Sequence, residues 1–475
     1  MIFPLTSLFV LSGWAFSLVF SVVLARRYEP AKAWAWMAIL LAFPWVGLGL
    51  YFLLGENPLG RRRLIRYRQV VEELKDSKKH LVLEPHVKQQ HLEHRLQTLS
   101  RVALAGGALS PVGGNDAALL VNSDATMARL VQDIDRAQHH VHLTFYIFRD
   151  DATGRQVGDA LLRAAARGVK CRLLADAVGS RPLFAFAGYG AHLQQHGIEL
   201  RDALYVNPLR GRLARIDLRN HRKIVIIDGQ VGYIGSWNVC DADYGRRDIP
   251  AGHDVMVRLT GPVALQLQLL FLEDWKFEAD QLLEHDDFFP ELESAGNIIA
   301  QVLPSGPMYP TAPLRDLTVA ALHQAQKNVN LTTPYLIPDE ALLLALKQAV
   351  QRGVKVVIIV PAHSNHHFID LAARAYYREL TRAGVNVHLF QKGLLHAKTL
   401  TVDDALGMVG SANFDVRSFH LDVEANCLFY AKDFTSLLHQ QQLDYISQSV
   451  LFDAQNPSWP QTLTENWFKL ISPLF

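Results

Sequence analysis

The chain has 475 residues, too long for one ordinary domain and enough for about three units. Its 47 Lys and Arg are balanced by 46 Asp and Glu, a net charge of +1, so the global basic field of a typical nucleic-acid binder is missing and nucleic acid is disfavoured as a partner. The three cysteines, Cys171, Cys240 and Cys427, are scattered without metal spacing or a disulfide framework, which fits a reducing compartment and a packing role.

Residues 1–25 contain no charged side chain, and neither do residues 33–55. Each stretch is long enough to cross a hydrocarbon core as a helix, and only the seven residues RRYEPAK separate them. The reading is a transmembrane hairpin over residues 1–60, with spans at about 3–25 and 33–55. A cleaved signal peptide is the alternative for the first stretch, but it lacks a basic start and a second apolar stretch follows at once. Pro44 is tolerable in a membrane helix whose freed carbonyl finds a neighbour. Arg61, Arg62, Arg63, Arg66 and Arg68 follow the second span, against Arg26, Arg27 and Lys32 in the loop. The positive-inside rule then puts the rest of the chain in the cytoplasm.

Residues 61–110 read as a charged helical linker, and Pro and Gly at residues 105–116 mark its end. Beyond it the chain alternates helical and strand patterns, as an α/β domain does. GDALLRAAARGVKCRLLAD in the first half is answered by ALLLALKQAVQRGVKVVIIV in the second, an amphipathic helix, an R-G-V-K turn and a buried strand. The halves are set at residues 111–295 and 296–475, an internal duplication. The first copy carries an extra arginine-rich stretch, YVNPLRGRLARIDLRN, which reads either as a loop at the mouth of a site or as a solvated loop.

Each half contains the same polar pattern. NHRKIVIIDGQVGYIGSWN at residues 220–238 returns as HAKTLTVDDALGMVGSAN at residues 396–413, so that His221, Lys223 and Asp228 match His396, Lys398 and Asp403. Downstream, Gly235, Ser236 and Asn238 match Gly410, Ser411 and Asn413. One H-x-K-x-x-x-x-D is a weak signal, but two with the same G-S-x-N sequel are not chance. In a strand, residues i and i+2 share a face, so each copy offers an imidazole and an ammonium side by side. Each Asp falls at a turn, away from that face, which gives Asp228 and Asp403 a framing role. The return strand brings Ser236 and Asn238, or Ser411 and Asn413, back beside the pair. Two such sets around one cavity make a phosphate site in which lysines supply the positive charge, with no metal or cofactor required. His363, His366 and His367 could ligate a metal, but no matching cluster stands out and they read as a loop.

The duplicated motif resembles the phospholipase D superfamily, in which two motifs form one active site. The apolar N-terminal segments, the basic run, DLRNHRK, TTPYLIP and the ending FKLISPLF are similar to bacterial cardiolipin synthases of the A type, over essentially the whole chain. The resemblance implies two phospholipase D-like α/β/α sandwich domains related by pseudo-two-fold symmetry, preceded by the hairpin. It implies a bacterial inner-membrane enzyme that joins two phosphatidylglycerol molecules into cardiolipin and glycerol through a phosphohistidine, with His221 as nucleophile and His396 as acid and base. The catalytic set is then His221, Lys223, Asp228, His396, Lys398 and Asp403, with Ser236, Asn238, Ser411 and Asn413 on the phosphate. Superfamily members orient each histidine with an acid from a later strand. By position these are Asp254 and Glu424, each in an apolar strand pattern where a lone acid needs a partner; a nearby arginine is the ordinary alternative. A hydrolase or transphosphatidylase would use the same residues with water or another alcohol. A nuclease would need a basic track, and a membrane scaffold would need neither motif. At the C-terminus, Trp467, Phe468, Leu470 and Phe475 suit either a membrane interface or packing on the second half. The oligomeric state has no signal in the sequence.

Overall fold

The computed structural model describes residues 2–28, 30–51, 59–76, 79–205, 217–244, 252–309, 311–454 and 458–472. The arginine-rich stretch before the first motif and Phe475 lie largely or wholly outside them. Two compact units are formed, Met1–Leu64 and Ile65–Phe475.

The first unit consists of α1 (Ile2–Arg27), α2 (Pro30–Ala42) and α3 (Pro44–Leu50). The second apolar segment, expected as one helix over residues 33–55, is therefore broken. Pro44 has no N–H to continue the ladder and it pushes Phe43 to φ −138°, outside the helical region. Among the described residues no helix is long and apolar enough to cross a membrane. Within the unit, Ser17 Oγ donates to Leu40 O at 3.1 Å, and Leu24, Leu40 and Tyr51 are buried together. The outward positions are apolar as well, among them Leu18, Val19, Trp34, Phe43 and Val46.

The expected linker helix is divided into α4 (Arg61–Asp76), a 3-10 stretch at Lys79–His86 and α5 (His94–Ala105). It is no free linker, because Tyr67, Val70, Leu74 and Leu83 are buried against the second unit's core. There follow β1 (Val112–Leu120), α6 (Ser123–Arg136), β2 (His140–Phe145), α7 (Ala152–Ala166), β3 (Lys170–Asp176), α8 (Tyr189–Gln195), β4 (Glu199–Ala203), β5 (Ile224–Ile227), β6 (Val231–Gly235), β7 (Met256–Thr260) and α9 (Val263–Ala279). The second half repeats the order with β8 (Ile298–Ser305), α10 (Pro313–Gln324), β9 (Asn328–Thr332), β10 (Leu336–Ile337), α11 (Glu340–Gln351), β11 (Lys355–Pro361), α12 (His367–Arg382) and β12 (Asn386–Phe390). It closes with β13 (Thr399–Val402), β14 (Leu406–Gly410), β15 (Phe414–Asp415), α13 (Val416–His420), β16 (Glu424–Phe429), α14 (Lys432–Ser447), β17 (Ser449–Leu451) and α15 (Trp459–Ile471).

Both halves share one 15-stranded sheet. Outward from its centre the first half runs β1-β7-β6-β5-β2-β3-β4 and the second β8-β16-β14-β13-β9-β11-β12, with β17 added at the edge. Seven strands of each half thus occupy the places of their counterparts, while β10 and β15 pair in a separate two-stranded sheet, and the central pair β1 and β8 is antiparallel, as a two-fold relation demands. The motif strand β5 is apolar because both of its faces are covered. Ile224 and Ile226 enter one core and Val225 and Ile227 the other, each side chain contributing about 1.5–3 kcal/mol. That burial anchors the strand whose entry carries the charged residues.

Candidate active site

Each motif reaches its strand through an extended segment that is held by the other half. The His221 N–H donates to Val423 O at 2.8 Å, and the His396 N–H donates to His253 O at 2.9 Å. The next residues after Val423 and His253 are Glu424 and Asp254. Backbone pairing across the halves therefore delivers each acid to the opposite histidine. His221 Nδ1 lies 3.2 Å from Glu424 Oε1, and His396 Nδ1 lies 2.7 Å from Asp254 Oδ1. An acceptor at Nδ1 fixes the tautomer and leaves Nε2 for chemistry.

Lys223 and Lys398 share the faces of their histidines, as the period of two requires, and each Nζ donates to its own histidine's carbonyl, at 2.6 and 2.5 Å. Burial lowers the pKa of both ammonium groups, against the pull of Asp254 and Glu424; Lys223 lowers Lys398 further. Burial and then Lys398 lower His396 to about 4, and Lys223 adds to the effect. Glu424, hydrogen-bonded to both His221 of the first motif and Ser411 of the second, joins the two motifs at one place. Burial alone would raise Asp254, but His396, Lys398 and Ser236 bring it down to about 2. Glu424 is likewise held low, against its burial, by His221, Lys223 and Ser411. Two ionised acids behind two imidazoles, with two desolvated ammonium groups in front, form a site that an added anion relieves.

Several residues sit differently from the reading by spacing. The hydroxyls of Ser236 and Ser411 are turned to carboxylates. Ser236 Oγ donates to Asp254 Oδ1 at 2.6 Å and Ser411 Oγ to Glu424, while both accept from the backbone N–H of Val255 and Ala425. A hydroxyl beside a buried carboxylate is drawn to it, so the serines fasten the acids. Asn238 Oδ1 accepts from the Ile147 N–H at 3.2 Å, and its Nδ2 lies 3.4 Å from Tyr244 Oη. Asn413 Oδ1 is buried without a protein partner. Asp228 and Asp403 are remote from the imidazoles. Asp228 takes the backbone N–H groups of Gln138, His139 and His140, and Asp403 those of Gln326, Lys327 and Asn328 together with Arg95. Both stand in left-handed turns, Asp228 at φ 53° and Asp403 at 51°, and each clamps the start of a neighbouring strand. These hydrogen bonds all come from backbone N–H groups and from Arg95.

Between His221 and Lys223 the Arg222 side chain leaves on the opposite face, fully buried, and pairs with Asp274 while its Nε donates to Glu424 O at 3.1 Å. The charged entry to a buried strand is thus answered on both sides.

Four groups escaped the sequence reading. Tyr146 packs against His221 with ring centroids 4.2 Å apart and planes tilted by 55°. Tyr244 Oη lies 3.0 Å from His396 Nδ1 and 2.8 Å from Asp254 Oδ2. Asp422 Oδ2 is 3.9 Å from His221 Nδ1, and Ser418 Oγ donates to Glu424 Oε1 at 3.1 Å. Asp422 was accessible to the period-two rule, being two residues before Glu424, whereas the place of Tyr146 is taken by Pro334 in the second half. Tyr244 and Ser418 gave no signal. His221, Asp422 and Glu424 bring ligand-type atoms within 4.8 Å of one another, the one such group among the described residues. Here Glu424 already accepts from His221, Ser411 and Ser418, and Asp422 pairs with Arg417. His363, His366 and His367 do not converge with other ligands among the described residues.

Two histidine–lysine pairs, crossed by the acids of two repeated halves, define a phospholipase D-like protein. The family model described as "Cardiolipin synthase, PLD-like domain" matches residues 130–275 and 318–444, and one described as "Phospholipase_D-nuclease N-terminal" matches residues 14–56. Cardiolipin synthase A of Yersinia pseudotuberculosis serotype O:1b (strain IP 31758) and that of Yersinia pestis bv. Antiqua (strain Angola) are each 36% identical over 469 residues, covering 95% of this chain and 94% of theirs. The crystal structure of phosphatidylserine synthase from Haemophilus influenzae Rd KW20 shares the fold, with a TM-score of 0.57 at 14% identity over 79% of this chain and 98% of that one. The chain belongs to the cardiolipin synthase family of phospholipase D-like proteins.

Proposed function

We propose that the protein is a phosphatidyltransferase that makes cardiolipin and glycerol from two phosphatidylglycerol molecules. The observation that carries the reading is the crossed pair of imidazoles, each free at Nε2 and backed by an acid of the other half. His221 Nε2 attacks phosphorus, the bond from phosphorus to the terminal glycerol oxygen breaks, and His396 protonates that oxygen as glycerol leaves. The phosphatidyl group then rests on His221. His396, now neutral, takes the proton from the hydroxyl of a second phosphatidylglycerol, whose oxygen attacks phosphorus and releases His221. Lys223, Lys398 and Asn413 offset the charge on the phosphoryl oxygens throughout. The identity to the Yersinia enzymes over nearly the whole chain supports the lipid acceptor.

The apolar exterior of the first unit supports a membrane anchor, with the catalytic portion on the cytoplasmic side of a bacterial inner membrane by the arginine asymmetry. At the other end of the chain, Phe468 of α15 packs on Phe368 at 5.2 Å, whereas Trp459, Leu463, Trp467 and Leu470 are exposed along one helical face suited to a lipid interface. Of the C-terminal residues read as a membrane contact, Phe468 thus turns inward.

The experiment is mass spectrometry of the lipids made by purified protein from pure phosphatidylglycerol. Cardiolipin and glycerol in equal amounts are expected; phosphatidic acid instead would make the protein a hydrolase, and no turnover would overturn the reading. For topology, a cysteine at Glu29 is expected to react with an impermeant thiol reagent in intact cells and one at Asp116 is not; the reverse pattern would invert the orientation.

A further inference from the structure

We infer that the protein has a second lipid site, remote from the reacting groups, which holds an acyl chain of an anionic phospholipid. A cavity of about 580 Å³ lies between α4, α5, α9 and β8, within the size of small-ligand sites, about 300–1,000 Å³. Val71, Leu74, Leu104, Leu269, Leu270 and Met308 give it an apolar wall. Arg222 separates it from the histidines, since that side chain leaves the motif strand on the face opposite His221 and Lys223 and ends 3.4 Å from Tyr309 Oη.

The inner end of the cavity is polar but already matched. Tyr67 Oη lies 3.0 Å from Tyr309 Oη and 3.3 Å from Glu273 Oε2. These groups need nothing from a ligand, so a headgroup has no berth inside. The backbone accommodates this arrangement at Gly107, where φ is +106° and a Cβ would stand 2.8 Å from the Tyr309 ring. A polar head therefore belongs at the outer end, where exposed Arg68 lines the cavity beside Glu72. The first two turns of α4 carry Arg61, Arg62, Arg63, Arg66 and Arg68 and no acid, which selects an anionic head. α4 follows the apolar N-terminal segment directly in sequence, so an anchored chain meets phospholipid next to this helix.

The test uses the full chain in phosphatidylcholine nanodiscs with a small fraction of phosphatidylglycerol bearing a diazirine in one acyl chain. After illumination, peptide mapping is expected to find adducts in α9 and at residues 104–109. Val71→Trp and, as a second filling variant, Leu104→Phe are expected to reduce those adducts about tenfold at unchanged melting temperature, and Arg68→Glu severalfold. The same adducts are expected in His221→Ala protein, so the result stands apart from the transfer reaction. No adducts on these peptides, or equal labelling in both filling variants, would overturn the site. Labelling by a diazirine fatty acid but not by the phospholipid would overturn the assignment of the ligand.

Discussion

The two halves build the same pair of catalytic groups on the same strand order and surround them differently. His221 has two carboxylates at Nδ1, Glu424 at 3.2 Å and Asp422 at 3.9 Å. His396 has one, Asp254 at 2.7 Å, and the neutral hydroxyl of Tyr244 at 3.0 Å. A histidine phosphorylated at Nε2 carries positive charge for the life of the intermediate, and a second carboxylate stabilises it. A histidine that gains and loses a proton within each step is better served by one carboxylate and a neutral neighbour. The difference comes from the residue two before each acid, Asp422 against Gly252, and from the loop that supplies Tyr244. This is physical support for His221 as nucleophile that the symmetric motifs alone do not give.

The largest expected effect tests where the halves are alike. Lys223→Met and Lys398→Met are each expected to lower turnover by about a thousandfold while the protein melts normally, because each removes a charge aimed at the phosphoryl oxygens. Near-normal turnover in one of them would mean that half is not part of the site.

The acids separate the halves. Glu424→Gln and Asp254→Asn are each expected to cost about 10–100-fold with phosphatidylglycerol. With a nitrophenyl ester, whose leaving group needs no proton, Glu424→Gln is expected to keep its defect in forming the intermediate and Asp254→Asn to lose most of it. Equal behaviour on the ester would erase the proposed division of roles.

The motif aspartates are expected to act on stability. Asp403→Ala leaves three backbone N–H groups and Arg95 without their acceptor, and is expected to cost about 2–3 kcal/mol in denaturant unfolding. The folded fraction is expected to keep most of its turnover. A thousandfold loss of activity at full stability would return Asp403 to the reacting centre.

The smallest effect concerns protons. His396 is lowered to about 4 by burial and by Lys398, so near pH 7 it is neutral. A bound phosphate anion raises it, and binding then takes up protons and weakens as pH rises. Calorimetry of inorganic phosphate binding in buffers of different ionisation enthalpy measures this, and proton release on binding would contradict it. Tyr244→Phe is expected to change turnover only severalfold and to shift this pH dependence.

The repeated pattern picked out both histidine–lysine pairs and both turns, because period two and the helix–strand order are local properties of the chain; the two acids came from the family resemblance. The pattern did not reveal that the acids cross between halves, which depends on the pairing of Val423 and His253 with the opposite motif. The partners of the serines escaped the sequence for a related reason. Their spacing brings them back to the site, but only the tertiary position of Asp254 and Glu424 decides what the hydroxyls bind. The break at Pro44 was visible as a residue and not as an outcome, since a proline inside an apolar stretch is compatible with a kinked helix or with two helices.

The central claim is a covalent intermediate on one particular histidine. It is tested by quenching the His396→Ala protein with acid-avoiding denaturant during turnover of a nitrophenyl phosphatidyl ester and mapping the modified peptide. The expected result is a phosphatidyl group on His221 and none in His221→Ala protein. A label absent from His221 in protein that consumes the ester, or label on His396 in the otherwise intact enzyme, would contradict the account.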